Sequence, residues 1–212
     1  MKKPQALVVL LITTLLPLFV PGYSLAAEEA GWYTKADVGV SLVQDFTTHT
    51  TDLFFGGSVT TKATFDPGVR VDLAGGYQFD DSWAAEFELG FIYNSARFSF
   101  SGPAIGSTSD SFFQLPIMIN GIYTLPLKGR FKPYVGLGLG VEVSGLGDFG
   151  GDVVGAGQFM TGVKYELNEC MNVGLEYKVL LTTEHDWGDI LTETVGSSTV
   201  THAILATFTF RF

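Results

Sequence analysis

Thr199-Val-Thr-His-Ala-Ile-Leu-Ala-Thr-Phe-Thr-Phe-Arg-Phe212 ends the chain, and its alternation decides the fold. Successive side chains of a strand point to opposite faces. Val200, Ile204, Ala206, Phe208, Phe210 and Phe212 therefore share one face, and Thr199, Thr201, Thr207, Thr209 and Arg211 share the other. A strand with so apolar a face, ending on an aromatic residue, suits a barrel whose outside meets lipid.

The other end of the chain agrees. Met1-Lys2-Lys3 is basic, Ala6 to Val20 is apolar with only Thr13, Thr14 and Pro17 interrupting, and Ser24-Leu25-Ala26 is a small-x-small cleavage site. This reads as a secretory signal peptide over 1–26, leaving one domain over 27–212. No later stretch holds about 18 consecutive apolar residues, so no helix is expected to span a bilayer. Cys170 is the single cysteine, which removes disulfides as a means of stabilising an exported domain. Closing a sheet into a barrel is another means, because closure leaves no unpaired edge. Without Lys2 and Lys3, ten basic residues face 22 acidic ones, a net charge of −12 that offers nucleic acid nothing.

Working back from the last strand, alternation recurs near 32–43, 68–79, 83–95, 112–125, 131–143, 153–167 and 171–181, which with 199–212 makes eight strands. Helical periodicity is missing, and 26 glycines argue further against helices. One face is apolar throughout: Val69, Val71, Leu73 and Tyr77 in one strand, Trp83, Phe87, Leu89, Phe91 and Tyr93 in the next. The opposite face holds Lys35 and Asp37, Arg70 and Asp72, Glu86 and Glu88, Lys132 and Glu142, Lys164 and Glu166, Glu176 and Lys178, and Arg211. These thirteen are six cations and seven anions, which predicts a nearly balanced internal ion-pair network. The predicted fold is all-β, an eight-stranded antiparallel up-and-down transmembrane β-barrel.

Alternation alone does not say which face is inside, since a soluble lipocalin-like barrel turns its apolar face inward. Three features choose lipid outside. The polar face is rich in glycine (Gly39, Gly76, Gly90, Gly136, Gly138, Gly140, Gly162, Gly174), which suits a narrow lumen and leaves room for water-filled pockets. Its charges nearly cancel. Trp32, Phe79, Trp83, Tyr123, Phe131, Tyr165 and Phe212 gather at one set of strand ends like an aromatic girdle. Short connections (80–82, 126–130, 168–170) alternate with longer ones (44–67, 96–111, 144–152, 182–198). In outer-membrane barrels short turns are periplasmic, so both termini are expected there. Pro116 and Pro133 each lack a donor inside a proposed strand, and local bulges or strand-end irregularities are expected at both.

Gln114-Leu-Pro-Ile-Met-Ile-Asn120, Lys132-Pro-Tyr-Val-Gly-Leu-Gly-Leu-Gly140 and Val173-Gly-Leu-Glu-Tyr177 resemble segments of the small outer-membrane β-barrel family that includes OmpA-, OmpX- and opacity-type proteins. The resemblance spans the whole segment after the signal peptide. It implies a bacterial outer-membrane location, contact with outer-membrane lipids including lipopolysaccharide, and a C-terminal signal (Phe208, Phe210, Phe212) read by the barrel-assembly machinery. It says little about activity, because this fold hosts adhesins, structural proteins, pores and lipid-modifying enzymes.

Catalytic, cofactor and metal sites are not expected. His202 falls on the apolar face without the serine two residues on that a lipid A deacylase-like pattern needs. His185 lies beside Glu184 and Asp186, which is commoner as a solvated acidic loop than as a metal cage. His49 has no evident partner. Eight strands enclose an interior that side chains fill, so a wide pore is not expected. The long connections carry Asp45, Asp52, Asp66, Asp110, Asp148, Asp152, Glu184, Asp186, Asp189 and Glu193 against Lys62 and Arg97. The stretch Leu53-Phe54-Phe55-Gly56-Gly57 suggests contact with a partner or membrane surface, or else hairpins that extend the barrel wall. The functional reading is a non-enzymatic structural or surface-interaction protein with acidic extracellular loops and an extracellular ligand. The alternatives are a small-solute pore or a lipid A-modifying enzyme.

Overall fold

The computed structural model describes residues 30–51, 58–101, 106–146, 151–189 and 194–212. The segment 1–26, expected to be a signal peptide, and the aromatic stretch 53–57 lie outside them. Eight long strands make the wall: β1 (Gly31–Val43), β4 (Gly68–Gln78), β5 (Trp83–Ser101), β6 (Gly106–Thr124), β7 (Phe131–Leu146), β8 (Gly151–Glu166), β9 (Met171–Thr182) and β12 (Val200–Arg211). Each pairs antiparallel with its neighbour in sequence. β1 also pairs with β12, from Tyr33 opposite Arg211 to Val43 opposite Thr201, which closes the barrel. Four shorter strands stand at one end: β2 (Phe46–Thr51), β3 (Ser58–Phe65), β10 (His185–Asp189) and β11 (Thr194–Ser197).

All eight predicted strands are present, and the differences lie at the loop end. Much of what reads as long connection is strand. β5 runs on to Ser101 and β6 begins at Gly106, so their hairpin rises well beyond the ladder to β4. β3 pairs with this upper part of β5, Thr60 opposite Ser101 through Phe65 opposite Ala96. Ser, Thr and Phe alternate there in small steps, which satisfies a pleated ribbon as readily as a loop. The other end has tight turns. Asp80 accepts the amides of Ser82 and Trp83 at 2.8 Å each, and Asn168 accepts that of Cys170 at 3.0 Å. Gly129 takes φ +111° in the third turn, a conformation that suits glycine.

The outside is apolar at the height of the ladders. Leu139 is 77% exposed, Leu137 69% and Ile119 68%. A contiguous surface of this kind needs an apolar solvent. Around the turn end it gives way to paired aromatics: Trp32 with Tyr77 at 5.1 Å between centroids, Trp83 with Tyr123 at 4.9 Å, and Phe131 with Tyr165 at 4.9 Å. Each is a direct cross-strand pair, the arrangement in which such rings meet.

The two prolines do not shift the register. Opposite Pro116 the β5–β6 ladder lapses between Leu89–Ile117 and Ile92–Gln114, then resumes in step. The inward Gly90 admits the proline ring: a Cβ there would lie 2.7 Å from Pro116 Cγ and 2.6 Å from Asp72 Oδ1. The β7–β8 ladder runs unbroken through Pro133. Its carbonyl accepts from Leu125, so its missing donor faces the last residues beside β6, where the ladder ends. Of the expected bulges or strand-end irregularities, Pro116 brings a gap in the bonding without a bulge, and Pro133 takes a strand-end position.

The inward glycines do not simply leave space for water. The Tyr33 ring lies over Gly76, Tyr134 over Gly162 and Met160 over Gly136. The inward face is also less uniformly polar than its charges suggest. Ile92, Met118, Leu180 and Ala156 form one buried apolar cluster. Val43, Ala63, Ala96 and Phe112 form another beneath the hairpins, with Phe65 against it.

Candidate functional site in the barrel lumen

The inward parity of seven strands meets in one buried polar network at mid-barrel. Lys178 on β9 is its centre. Its Nζ donates to Asp37 at 3.1 Å, Asp72 at 2.7 Å and Glu88 at 3.0 Å, and lies 3.0 Å from Glu176 Oε1. Glu88 belongs to β5, the opposite wall. Arg70 donates through Nε to both Asp72 oxygens at 2.9 Å, and through Nη2 to Glu88 at 3.1 Å and Gln158 at 2.7 Å. Lys35 lies 3.2 Å from both Glu86 and Glu176 and 3.5 Å from Asp37.

Neutral side chains complete it. The Tyr33 hydroxyl donates to Glu86 at 2.8 Å, and the Tyr134 hydroxyl donates to Glu176. Asn120 donates to Glu88 at 3.0 Å, and Gln158 donates to Glu88 at 3.2 Å. All eight charged members have side chains at most 1% exposed. Charges so buried persist only when paired and hydrogen-bonded from several directions.

One carboxylate oxygen from each of Asp37, Asp72 and Glu88 lies within 4.8 Å of the others, a spacing that suits a cation. The Lys178 ammonium already occupies that position. Its stem enters through the wall of β9, and its head neutralises carboxylates from β1, β4 and β5. This amounts to a resident cation tied to the chain.

The thirteen charged residues read from the sequence fall into three groups. Lys35, Asp37, Arg70, Asp72, Glu86, Glu88, Glu176 and Lys178 meet in the network. That set is three cations against five anions. Glu142 stands nearer the loop end, accepting from Gln114 Nε2 at 3.0 and 3.1 Å, while Gln114 accepts from Thr201 at 3.1 Å. Lys132, Lys164, Glu166 and Arg211 lie at the turn end, three cations against one anion, around a cavity of about 280 Å³. The near-balance in the count is therefore spatially divided, with a negative excess at mid-barrel and a positive one at the turn mouth.

Sequence reading misses Tyr33, Asn120, Tyr134 and Gln158. For Tyr33, Tyr134 and Gln158 the available signal is parity, since each lies an even number of residues from one of the thirteen charges on its own strand; β6 carries none of the thirteen, and Asn120 has no such marker. The histidines are placed differently. His202 is on the outer wall, bonded to Tyr177 at 2.7 Å with the rings nearly parallel. His49 and His185 lie in β2 and β10, and their side chains are outside the described residues. Phe208 and Phe210 lie on the outer face of β12 and Phe212 follows just beyond it, the last two with ring centroids 5.2 Å apart.

A closed barrel of eight antiparallel strands, apolar outside and ion-paired within, defines a class of membrane-spanning protein that crosses with strands alone. The chain belongs to the family described as outer membrane protein beta-barrel domain, whose model matches residues 12–212. That family resides in the outer membrane of Gram-negative bacteria. Among solved structures it is similar to neisserial surface protein A, at 17% identity and a TM-score of 0.57, over 87% of this chain and 100% of that one. It is also similar to the outer membrane protein OprG from Pseudomonas aeruginosa, at 18% identity and a TM-score of 0.57, over 87% and 97%. At such identities the likeness speaks for the fold. No curated protein matches the sequence.

Proposed function

We propose that this protein is a closed, non-enzymatic outer-membrane barrel that serves the envelope structurally and presents acidic hairpins at the cell surface. The observation that carries this reading is the mid-barrel network. Side chains from seven strands meet across the lumen at hydrogen-bonding distance, which leaves no wide aqueous path. Long hairpins rise from one end only. They carry Asp45, Asp66 and Glu184 exposed, against Lys62 and Arg97. With the tight turns in the periplasm, both termini are periplasmic and the hairpins face outward, where an extracellular ligand would meet them.

In the same reading, residues 1–26 are removed on export. Phe208, Phe210 and Phe212 form the signal recognised by the barrel-assembly machinery, and lipopolysaccharide surrounds the loop end. N-terminal sequencing of the mature protein is expected to begin at Ala27. Protease added to whole cells should cut within the hairpins and spare the tight turns. Cleavage at the turns instead would invert the orientation. In planar bilayers the protein should give no large conductance steps. Regular steps would replace the structural reading with a pore, and an altered lipid A mass on expression would replace it with an enzyme. Deleting Phe212 should slow accumulation of the heat-modifiable folded form.

A further inference from the structure

Lys164 stands apart from the other buried cations. It is 7% exposed, yet no carboxylate oxygen among the described residues lies within the 4.0 Å of an ion pair. Its ammonium faces two rings, 4.6 Å from the centroid of Tyr134 and 5.8 Å from that of Tyr33. Both phenol hydroxyls donate their hydrogen bonds elsewhere, to Glu176 and Glu86. Directly opposite Lys164 on β7 stands another cation, Lys132. Like charges in that position repel.

Both lysines line the cavity at the turn end, with Arg211 and Lys128. Asp81 and Glu166 are the carboxylates on its wall. Four cations against two anions thus surround about 280 Å³ in a protein whose net charge is −10 over the full sequence. A positive mouth on an acidic molecule concentrates anions. The buried ammonium lines this cavity with two rings against it and no carboxylate within ion-pair distance among the described residues.

We propose that this turn-end cavity binds a phosphate group, with Lys164 at the floor and Lys132 and Arg211 at the sides. A phosphate accepts charge-assisted hydrogen bonds from several cations at once. It also relieves the repulsion between Lys132 and Lys164 by standing between them. The volume exceeds that of a bare oxyanion and leaves room for a substituent. The phosphate can therefore come free from solution or as the head group of a phospholipid beside the aromatic belt.

The test uses the full mature barrel in a phosphate-free, uncharged detergent. Inorganic phosphate is titrated by calorimetry, and phosphatidylglycerol is added separately and followed by native mass spectrometry. Saturable binding is expected. Lys164→Met should weaken it by about tenfold or more, the loss of a charge-assisted hydrogen bond in a desolvated site. Arg211→Gln and Lys132→Gln should weaken it less, and Lys62→Gln at the loop end should leave it unchanged. Heat-modifiability verifies folding, and if Lys164→Met does not fold, the two mouth variants carry the test. Binding of free phosphate identifies a solution anion, and retention of phosphatidylglycerol alone identifies a head group. Absence of both, or equal binding by wild type and all three variants, would overturn the proposal and leave Lys164 as a cation held by two rings.

Discussion

Two pairs of like charges face each other directly across neighbouring strands, and they are resolved differently. Asp37 stands opposite Asp72 at mid-barrel, and Lys132 stands opposite Lys164 at the turn end. The first pair is bridged by the Lys178 ammonium, 3.1 Å from one carboxylate and 2.7 Å from the other. The second has no carboxylate within ion-pair distance among the described residues, and one member turns its ammonium to aromatic rings. A repelling pair in a sheet is thus no defect in itself. Its effect depends on whether a third strand across the lumen can deliver the opposite charge.

The comparison breaks most completely at Lys178. Lys178→Met leaves five carboxylates facing two cations and should destabilise the barrel by about 3–5 kcal/mol, the usual penalty for orphaning buried charge. Urea-induced unfolding in lipid vesicles measures it. A loss below about 1 kcal/mol would mean that the network fills the lumen without stabilising the fold. The next effect is smaller. Asp72→Asn removes one of the repelling carboxylates but also a partner of both Arg70 and Lys178, so it should still destabilise. The double variant with Lys178→Met should show a coupling of about 0.5–3 kcal/mol, as expected for members of one network. Strict additivity would separate the two residues.

At the turn end the sign should reverse. Lys132→Gln removes repulsion without orphaning a carboxylate and should be neutral or stabilising by up to about 1 kcal/mol, the range for cross-strand charge pairs. The smallest effect is its salt dependence. Lys132 is only half-buried, so raising ionic strength past about 0.5 M should close the gap between wild type and Lys132→Gln. The Lys178→Met deficit should persist in the same salt, because the mid-barrel charges are removed from solvent. Equal salt sensitivity at the two sites would contradict the difference in burial.

The wall was largely legible in the sequence. Period-two alternation is local, so Val69 to Tyr77 and Phe131 to Leu139 declare their outer faces without reference to any partner. The same parity placed the charged residues inside together. The hairpin extensions were less legible. Ala96 to Ser101 alternates Phe with Ser, and Gly106 to Ser111 is Ser-rich; such stretches fit either a loop or a ribbon, and pairing of β5 with β3 and β6 decides the matter. The prolines left bulge and strand-end irregularity open for a similar reason. A missing donor matters only on the side where a neighbour needs it, and the glycine opposite Pro116 makes room for its ring.

The site divides along the same line. From the sequence alone came the two faces, the strand count and the identity of the inward charges, because these depend on neighbours along the chain. Only the tertiary structure decided which charges meet. Register and closure set how far along the barrel axis each side chain stands, and an ion pair forms only within a few ångströms. Lys178 therefore finds carboxylates from four strands, while Lys164, on the same face of the strand beside it, finds another lysine.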